Sequence, residues 1–432
     1  MPAADSWSFQ CAEEGCETGL GQDYLIKCCP RCGNLLEVRC DLSGLDGAAL
    51  RSAWLERRRS SLRLDRSGVW RFRELVGFFH DPASVISLAE GRTPLLDAPA
   101  AGAWAGDVRL TVKHQGANPT GSFKDLGMTA AITRAVDLAV PVVACASTGN
   151  TSSSMAAYAA RAGLKALVFV PTGKISAAKL AQAIDLGAFI IELGENFDQA
   201  FTLVRAASVE LGLYLVNSVN PFRIEGQKTL AFELLEQHDW CVPDYIVVPG
   251  GNLGNVSAIA KGFSEMRELR LIDRMPRLVV IQSAGADAFY RLISSGSREL
   301  VPVTHPETEA TAIRIGNPAN WRKARRALAE TEGLCESVTD AEIFEAKRVL
   351  ARDGIGCEPA SAATLAGIRK LCAAKRIEPR ADVVAVLTGH QLKDPDYVIR
   401  HAGEIESGRR VQAEPKEDAL RRAVERVLNA SA

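Results

Sequence analysis

In the segment HQGANPTGSFKDLGMTAAITRAV, a turn-forming NPTGS runs into a helical pattern starting near Phe123 or Lys124, which sets a lysine at a helix start beside a glycine-bearing loop. A helix N-terminus repels an ammonium and favours the neutral amine. The neutral amine is the form in which a lysine attacks an aldehyde. Taken alone, a lysine at a helix start is more often a solvated surface residue, so its meaning depends on the company it keeps.

That company includes a glycine loop. The apolar run YIVVP leads through Gly250, Gly251, Asn252, Leu253, Gly254 and Asn255 into the helical VSAIAKGF. Backbone amides at such a turn, with the helix dipole behind them, form an anion cradle. The spacing of a dinucleotide fingerprint is absent, and the next strand ends in Gln282 and Ser283 where an acid should meet a ribose. No Lys-Ser/Thr pair of a P-loop closes the loop, which leaves a monophosphate as the expected ligand and a plain tight turn as the alternative. Two further strand ends are polar: Ser147, Thr148, Asn150 and Thr151 in VVACASTGNTSSS, and Thr388 in DVVAVLTGHQLKD. Each fits a helix N-cap when read singly.

A third group lies near the start. Of 11 cysteines, six precede residue 41. Cys11 and Cys16 in CAEEGC, with Cys29 and Cys32 in CPRCG, form two knuckles at the spacing of a four-thiolate zinc ribbon. Cys28 is an alternative to Cys29, Cys40 is a spare ligand or a buried thiol, and metal-free thiols are the competing reading. Four thiolates leave no open position on zinc, so the expected role is structural.

The elements that must position these groups are short apolar strands alternating with amphipathic helices: VRLTVKH, VPVVACAS, KALVFVP, AFIIELG, YLVNS, DYIVVP, RLVVIQ and DVVAVLT. Strand then helix, repeated this often, predicts an α/β fold of parallel sheets covered on both faces, with ligands where the strands end. With 432 residues and 47% apolar composition, two or three compact units are expected. Lys and Arg total 51 against 52 Asp and Glu, so no net field favours a nucleic acid. The opening MPAADSWSFQC lacks a targeting pattern and the longest apolar run is broken by Arg134 and Asp137, which predicts a soluble, cytoplasmic protein with no membrane segment. The basic stretch ALRSAWLERRRSSLRL reads as a solvated helix face or a packing surface, and the tail PKEDALRRAVERVLNASA as a charged amphipathic helix.

From about Glu90 to Asp394 these motifs resemble the fold-type II family of pyridoxal-phosphate enzymes, which are tryptophan synthase beta-like, and within it the threonine synthases. NPTGSFKDLGMT is similar to the family's lysine motif, which implies that Lys124 carries pyridoxal 5'-phosphate. The resemblance implies that Asn150 meets the cofactor's phenolic oxygen, that GGNLGN holds its phosphate, and that Thr388 faces its pyridine nitrogen. VNSVNPFRIEGQKT resembles the stretch with which threonine synthases hold the substrate's own phosphate. Asn217, Ser218 and Arg223 would then join Ser147, Thr151 and Asn255 around that dianion, a donor set that suits a phosphate.

The implied fold has two open parallel-sheet domains with the cofactor between them. Residues 90–135 and 220–405 would form the large domain and 136–219 a small mobile one. A Cys-rich ribbon of residues 1–42 and a helical extension of 43–89 would precede them, and a C-terminal helix of 406–432 would follow. The implied protein is a homodimer that converts O-phospho-L-homoserine and water to L-threonine and phosphate by γ-elimination and β-addition of water. Sister enzymes are the alternatives: a cysteate synthase would keep the second phosphate site, whereas a threonine or serine dehydratase has no need of one. A non-catalytic protein with a vestigial site is the different-class alternative, against which Lys124, Asn150 and the intact loop stand. For His390 and Lys393, beside Thr388, a capping or packing role is expected.

Overall fold

The computed structural model of the chain describes residues 7–13, 15–22, 28–76, 79, 81–147, 149–172, 177–193, 203, 204, 206, 208, 210–401, 403 and 411–428. Its first sheet is small and antiparallel, in the order β2-β1-β3, from β1 Trp7–Cys11, β2 Gly19–Leu20 and β3 Leu36–Cys40. The remaining strands are β4 Leu95–Asp97, β5 Arg109–His114, β6 Val142–Ala146, β7 Lys165–Val170, β8 Phe189–Glu192, β9 Tyr214–Leu215, β10 Tyr245–Pro249, β11 Arg277–Ser283, β12 Leu334–Val338 and β13 Asp382–Leu387. They form a six-stranded sheet, β12-β11-β10-β13-β5-β4, and a four-stranded sheet, β8-β7-β6-β9. All pairings in these two are parallel except β4 on β5. Every residue of β10 is buried, as an apolar strand covered by helices on both faces must be.

This order has a direct consequence for chemistry. β10, β13 and β5 are neighbours in one sheet, and β6 and β9 are neighbours in the other, so the segments that follow them emerge side by side at carboxyl ends. The helices that matter below are α1 Gly47–Arg59, α2 Lys124–Asp137, α3 Asn150–Ala162, α4 Pro221–Gln227, α5 Gly254–Glu268, α6 Trp321–Glu330 and α7 Pro359–Ala373. The basic stretch of α1 is a packing surface: Trp54 is fully buried, stacked 5.6 Å from the Phe232 ring, while Arg57 pairs with Glu74 and donates to the Arg71 carbonyl at 2.7 Å. Met1–Lys393 and Asp394–Ala432 are separate compact units. Among the described residues no helix is long and apolar enough to cross a membrane.

α2 and α4 cross at unusually close range, and glycine makes that possible. A Cβ on Gly127 would stand 2.7 Å from the Arg223 carbonyl oxygen, and one on Gly226 would collide with the carbonyl of Leu126. Two helix backbones therefore touch with nothing between them, which brings the first turn of α2 beside Arg223 on α4. Gly226→Ala is expected to destabilise the protein by about 3 kcal/mol, the upper part of the range for overpacking a tight interior, because backbone rather than a flexible side chain must move. A denaturant midpoint unchanged from the parent would show that the two helices are not in contact.

Candidate active site

α2 begins at Lys124, with Phe123 as an N-cap that makes no side-chain capping bond. The loop before it is tied to the end of β13: the Phe123 amide donates to the Thr388 carbonyl at 3.0 Å, and Ser122 bridges Gly389. The Lys124 Nζ lies 4.2 Å from the centre of the Phe123 ring. Burial, and after it the positive charge of Arg223, pulls the Lys124 amine down to about 7, against the opposing pull of Glu358. Desolvation and a neighbouring guanidinium thus join the helix terminus as causes of a neutral amine.

Glu358 is the hub of the next cluster, and sequence reasoning missed it. Buried at the start of α7, its carboxylate accepts from Asn150 Nδ2 at 2.9 Å through one oxygen and from Thr388 Oγ1 at 3.0 Å through the other. Thr388 also shares a 3.1 Å hydrogen bond with Ser361, whose hydroxyl accepts from the Gly389 amide at 3.1 Å. A Cβ on Gly389 would collide with the carboxyl group, so only glycine lets β13 end this close to it. Burial raises the Glu358 pKa, and its hydrogen bonds to Asn150 and Thr388 oppose the shift. One acid thus fixes the side chains at the ends of β6 and β13 to each other. The signal available beforehand was a glutamate just before a proline-led helix in an otherwise small and apolar run, GCEPASAATLAG.

The glycine loop follows β10. The Gly250 amide donates to the Ile281 carbonyl at 2.7 Å, and a Cβ there would stand 2.6 Å from a Val280 methyl. Leu253 takes a left-handed conformation, φ 62°, as the cap of α5. Inside the first turn of α5, both amide atoms of Asn255 are buried without a hydrogen-bond partner. Asn320, a second residue that sequence reasoning missed, holds the loop in place. Its Nδ2 donates to the Asn252 carbonyl at 3.2 Å and to the Ser218 carbonyl at 3.1 Å, and the adjacent Ala319 amide donates to Asn252 Oδ1 at 3.3 Å. A Cβ on Gly254 would sit 3.5 Å from the Asn320 side chain and 3.6 Å from Ile224, which places the loop against α4.

Arg223 is 2% exposed, and among the described residues no carboxylate pairs with it. One of its nitrogens donates to the Val216 carbonyl at 3.1 Å, while Nε has no partner. Burial lowers its pKa to about 10. A buried cation in this condition calls for an anion. Ser147 accepts from the Gly149 amide at 3.3 Å, and Thr151 lies half-buried in the first turn of α3. The Asn217 amide donates to the Ala146 carbonyl at 2.9 Å and accepts from the Ala146 amide at 3.1 Å, which staples the segment after β9 to the end of β6. Thr148 lies outside the described residues. Lys393 donates to the Thr120 carbonyl at 3.1 Å and to Gln182 at 2.7 Å, a packing contact, and His390 accepts from the Leu392 amide at 3.2 Å.

Far from this cluster in sequence, the sulfurs of Cys11, Cys16, Cys29 and Cys32 all lie within 4.8 Å of one another. Cys11 and Cys32 are 3.4 Å apart and Cys16 and Cys29 are 3.7 Å apart. Desolvation opposes ionisation of Cys29, but hydrogen bonds from Thr18 and from the Cys32 and Arg31 backbone hold it down at about 6, whereas burial pushes Cys11 up. Cys40, outside the group, is pushed up to about 11 by burial.

A lysine at a helix start, an amide-rich glycine loop and polar strand ends gathered at the carboxyl edges of two parallel sheets define a pyridoxal-phosphate enzyme. The chain belongs to the pyridoxal-phosphate dependent enzyme family, whose model matches residues 86–389, and its fold is fold-type II. It is 46% identical over 383 residues to the threonine synthase of Methanocaldococcus jannaschii, covering 88% of this chain and 92% of that one. To the threonine synthase of Methanosarcina acetivorans it is 44% identical over 394 residues, covering 91% and 94%. Among solved structures, maize serine racemase superimposes with a TM-score of 0.63 at 21% identity, covering 78% of this chain and 98% of that one, a likeness of fold.

The residues present fit the cofactor. The orphaned Asn255 amide and the loop before it suit a phosphate, and the Lys124 amine is set to be neutral near physiological pH. An ordinary lysine titrates near 10.5, so between about pH 7 and pH 10 its reactive fraction keeps climbing. With its pKa at about 7, the rate at which Lys124 captures pyridoxal phosphate should rise through pH 7 and level off above about pH 8. Borohydride trapping across pH, followed by mass mapping of the labelled lysine, measures this. A rate still climbing at pH 10 would contradict the buried, Arg223-flanked environment.

Proposed function

We infer that the protein is a threonine synthase, converting O-phospho-L-homoserine and water to L-threonine and phosphate. The observation that carries this reading is the buried Arg223, which has no carboxylate partner among the described residues and stands beside Lys124 in a chain 44–47% identical to threonine synthases. A second anion site next to the lysine is what a phosphorylated substrate requires, and a dehydratase would have no use for it.

The bound cofactor supplies an electron sink for the bond that breaks at Cα. Lys124 would hold the cofactor, and its free amine would take the proton from Cα. As a neutral amine it would also move protons at Cβ. Arg223 receives the substrate's phosphate, with Ser147, Thr151, Asn217, Ser218 and Asn255 as hydroxyl and amide donors. Binding energy placed on that phosphate favours its departure from Cγ, after which water adds at Cβ. Asn150 and Thr388 would hold the cofactor's phenolic oxygen and ring nitrogen, and Glu358, hydrogen-bonded to both, would fix their separation. Gly250, Gly251, Asn252, Leu253, Gly254 and Asn255 cradle the cofactor's phosphate. The lobes of residues 90–135 with 220–405 and of residues 136–219, the second mobile, belong to this proposal, as do a homodimeric assembly and a cytoplasmic location.

Structural zinc is proposed for Cys11, Cys16, Cys29 and Cys32. Four sulfurs about 2.3 Å from one ion stand about 3.8 Å apart in a tetrahedron. The sulfur separations of 3.4 and 3.7 Å are close to that value. One zinc per chain is expected by elemental analysis, falling to none in Cys29→Ser/Cys32→Ser; zinc retained by that variant would rule out this ligand set.

Incubation with O-phospho-L-homoserine should release phosphate and L-threonine in equal amounts. Arg223→Gln should raise KM by roughly 10- to 100-fold, the loss of one or two charge-assisted hydrogen bonds. No threonine from phosphohomoserine, with product from O-phosphoserine and sulfite instead, would transfer the assignment to the sister cysteate synthase.

A further inference from the structure

The Cys-rich ribbon is seated on the elements that form the two phosphate sites. Trp7 and Phe9, alternate residues on one face of β1, pack edge-on against Phe222, their ring centres 5.6 and 5.7 Å from it. Phe9 is 1% exposed and Phe222 is fully buried. Phe222 immediately precedes Arg223 on α4. The Arg134 guanidinium of α2, the helix that starts at Lys124, lies 5.4 Å from the Trp7 ring and 5.7 Å from the Phe222 ring.

Among the described residues β3 pairs with β1 on one side only, so its outer edge has backbone carbonyls to satisfy. The catalytic body supplies the donors. Lys261 of α5 donates to the Val38 carbonyl at 2.5 Å, and Lys323 of α6 donates to the Leu36 carbonyl at 3.0 Å. Arg326 of α6 pairs with Glu37 at 2.6 Å and Arg322 with Glu13 at 2.8 Å. α5 starts at the glycine loop and Asn255, and α6 is capped by Asn320, which holds Asn252 and Ser218. The ribbon therefore grips the three helices α4, α5 and α6, each of which carries or braces a phosphate-binding group.

We propose that the ribbon is a clamp for the substrate's phosphate, with Phe9 acting through Phe222 as a positioning residue for Arg223. The proposal rests on the assignment of Arg223 to the substrate phosphate. A clamp of this kind touches no reacting atom, so its removal should loosen recognition of the phosphorylated substrate and leave the cofactor chemistry nearly intact.

The test compares Phe9→Ala and Phe9→Leu in the full-length, cofactor-loaded protein. KM and kcat for O-phospho-L-homoserine are measured beside the affinity for L-threonine, which lacks the phosphate, read from the cofactor's absorbance. Phe9→Ala should raise KM for the phosphorylated substrate roughly tenfold, within the range of couplings carried by packed networks, with kcat and L-threonine affinity changed less than about threefold. Phe9→Leu should recover most of the loss. Lys323→Met, which removes one contact to β3 without entering the aromatic cluster, should give a smaller rise of the same selectivity and serves if Phe9→Ala does not fold. An unchanged KM, or an equal weakening of L-threonine, overturns the clamp. If Arg223→Gln raises KM and the ribbon variants do not, only the clamp falls; if Arg223→Gln also leaves KM unchanged, the phosphate assignment falls with it.

Discussion

A guanidinium buried without a carboxylate is unstable on its own terms, and much of this structure is arranged around keeping one in place. Arg223 sits on a short helix whose backbone touches that of α2 through Gly127 and Gly226, so its charge is held next to Lys124. The same proximity that creates an anion site adds to burial in discharging the lysine. One placement thus serves two chemical needs, a neutral nucleophile and a receptor for a phosphate.

Around this pair the fold works by adjacency of strand ends. β10, β13 and β5 deliver the glycine loop, Thr388 and the approach to Lys124 from one sheet; β6 and β9 deliver Ser147, Asn150 and Ser218 from the other. Parallel strands bring such segments to one edge whatever their order in sequence. Three side chains then remove the remaining freedom. Glu358 binds Asn150 to Thr388, Asn320 binds Asn252 to Ser218, and Asn217 binds β9 to β6. Each is a short polar link between segments far apart in the chain, and each is buried where its hydrogen bonds cost most to break.

These links mark where sequence reading runs out. Lys124, the loop at Gly250–Asn255 and the polar strand ends are legible because local turn chemistry and the change from strand to helix pattern announce them. The eight strands from VRLTVKH to DVVAVLT are found for the same reason. β12, LCESV, escapes because Glu336 and Ser337 interrupt its apolar pattern at the edge of the sheet, and β4 is only three residues long. Glu358 carries only the weak signature of an acid before a proline-led helix, and Asn320 none: Glu358 meets Asn150 across 208 residues, and Asn320 meets Ser218 across 102. The bonds from Asn217 to Ala146, across 71 residues, are equally invisible in the sequence.

The seat of the ribbon also orders events during synthesis. Leu36 must wait for Lys323, 287 residues later, and Glu37 for Arg326, 289 residues later. At about 5–20 residues per second, that delay is roughly 15 to 60 s. Through that interval the ribbon holds Trp7 and Phe9 with no body to cover them. With the proposed zinc bound, its four cysteines, all within 22 residues, would let the knuckle close before any of the helices it will grip exist.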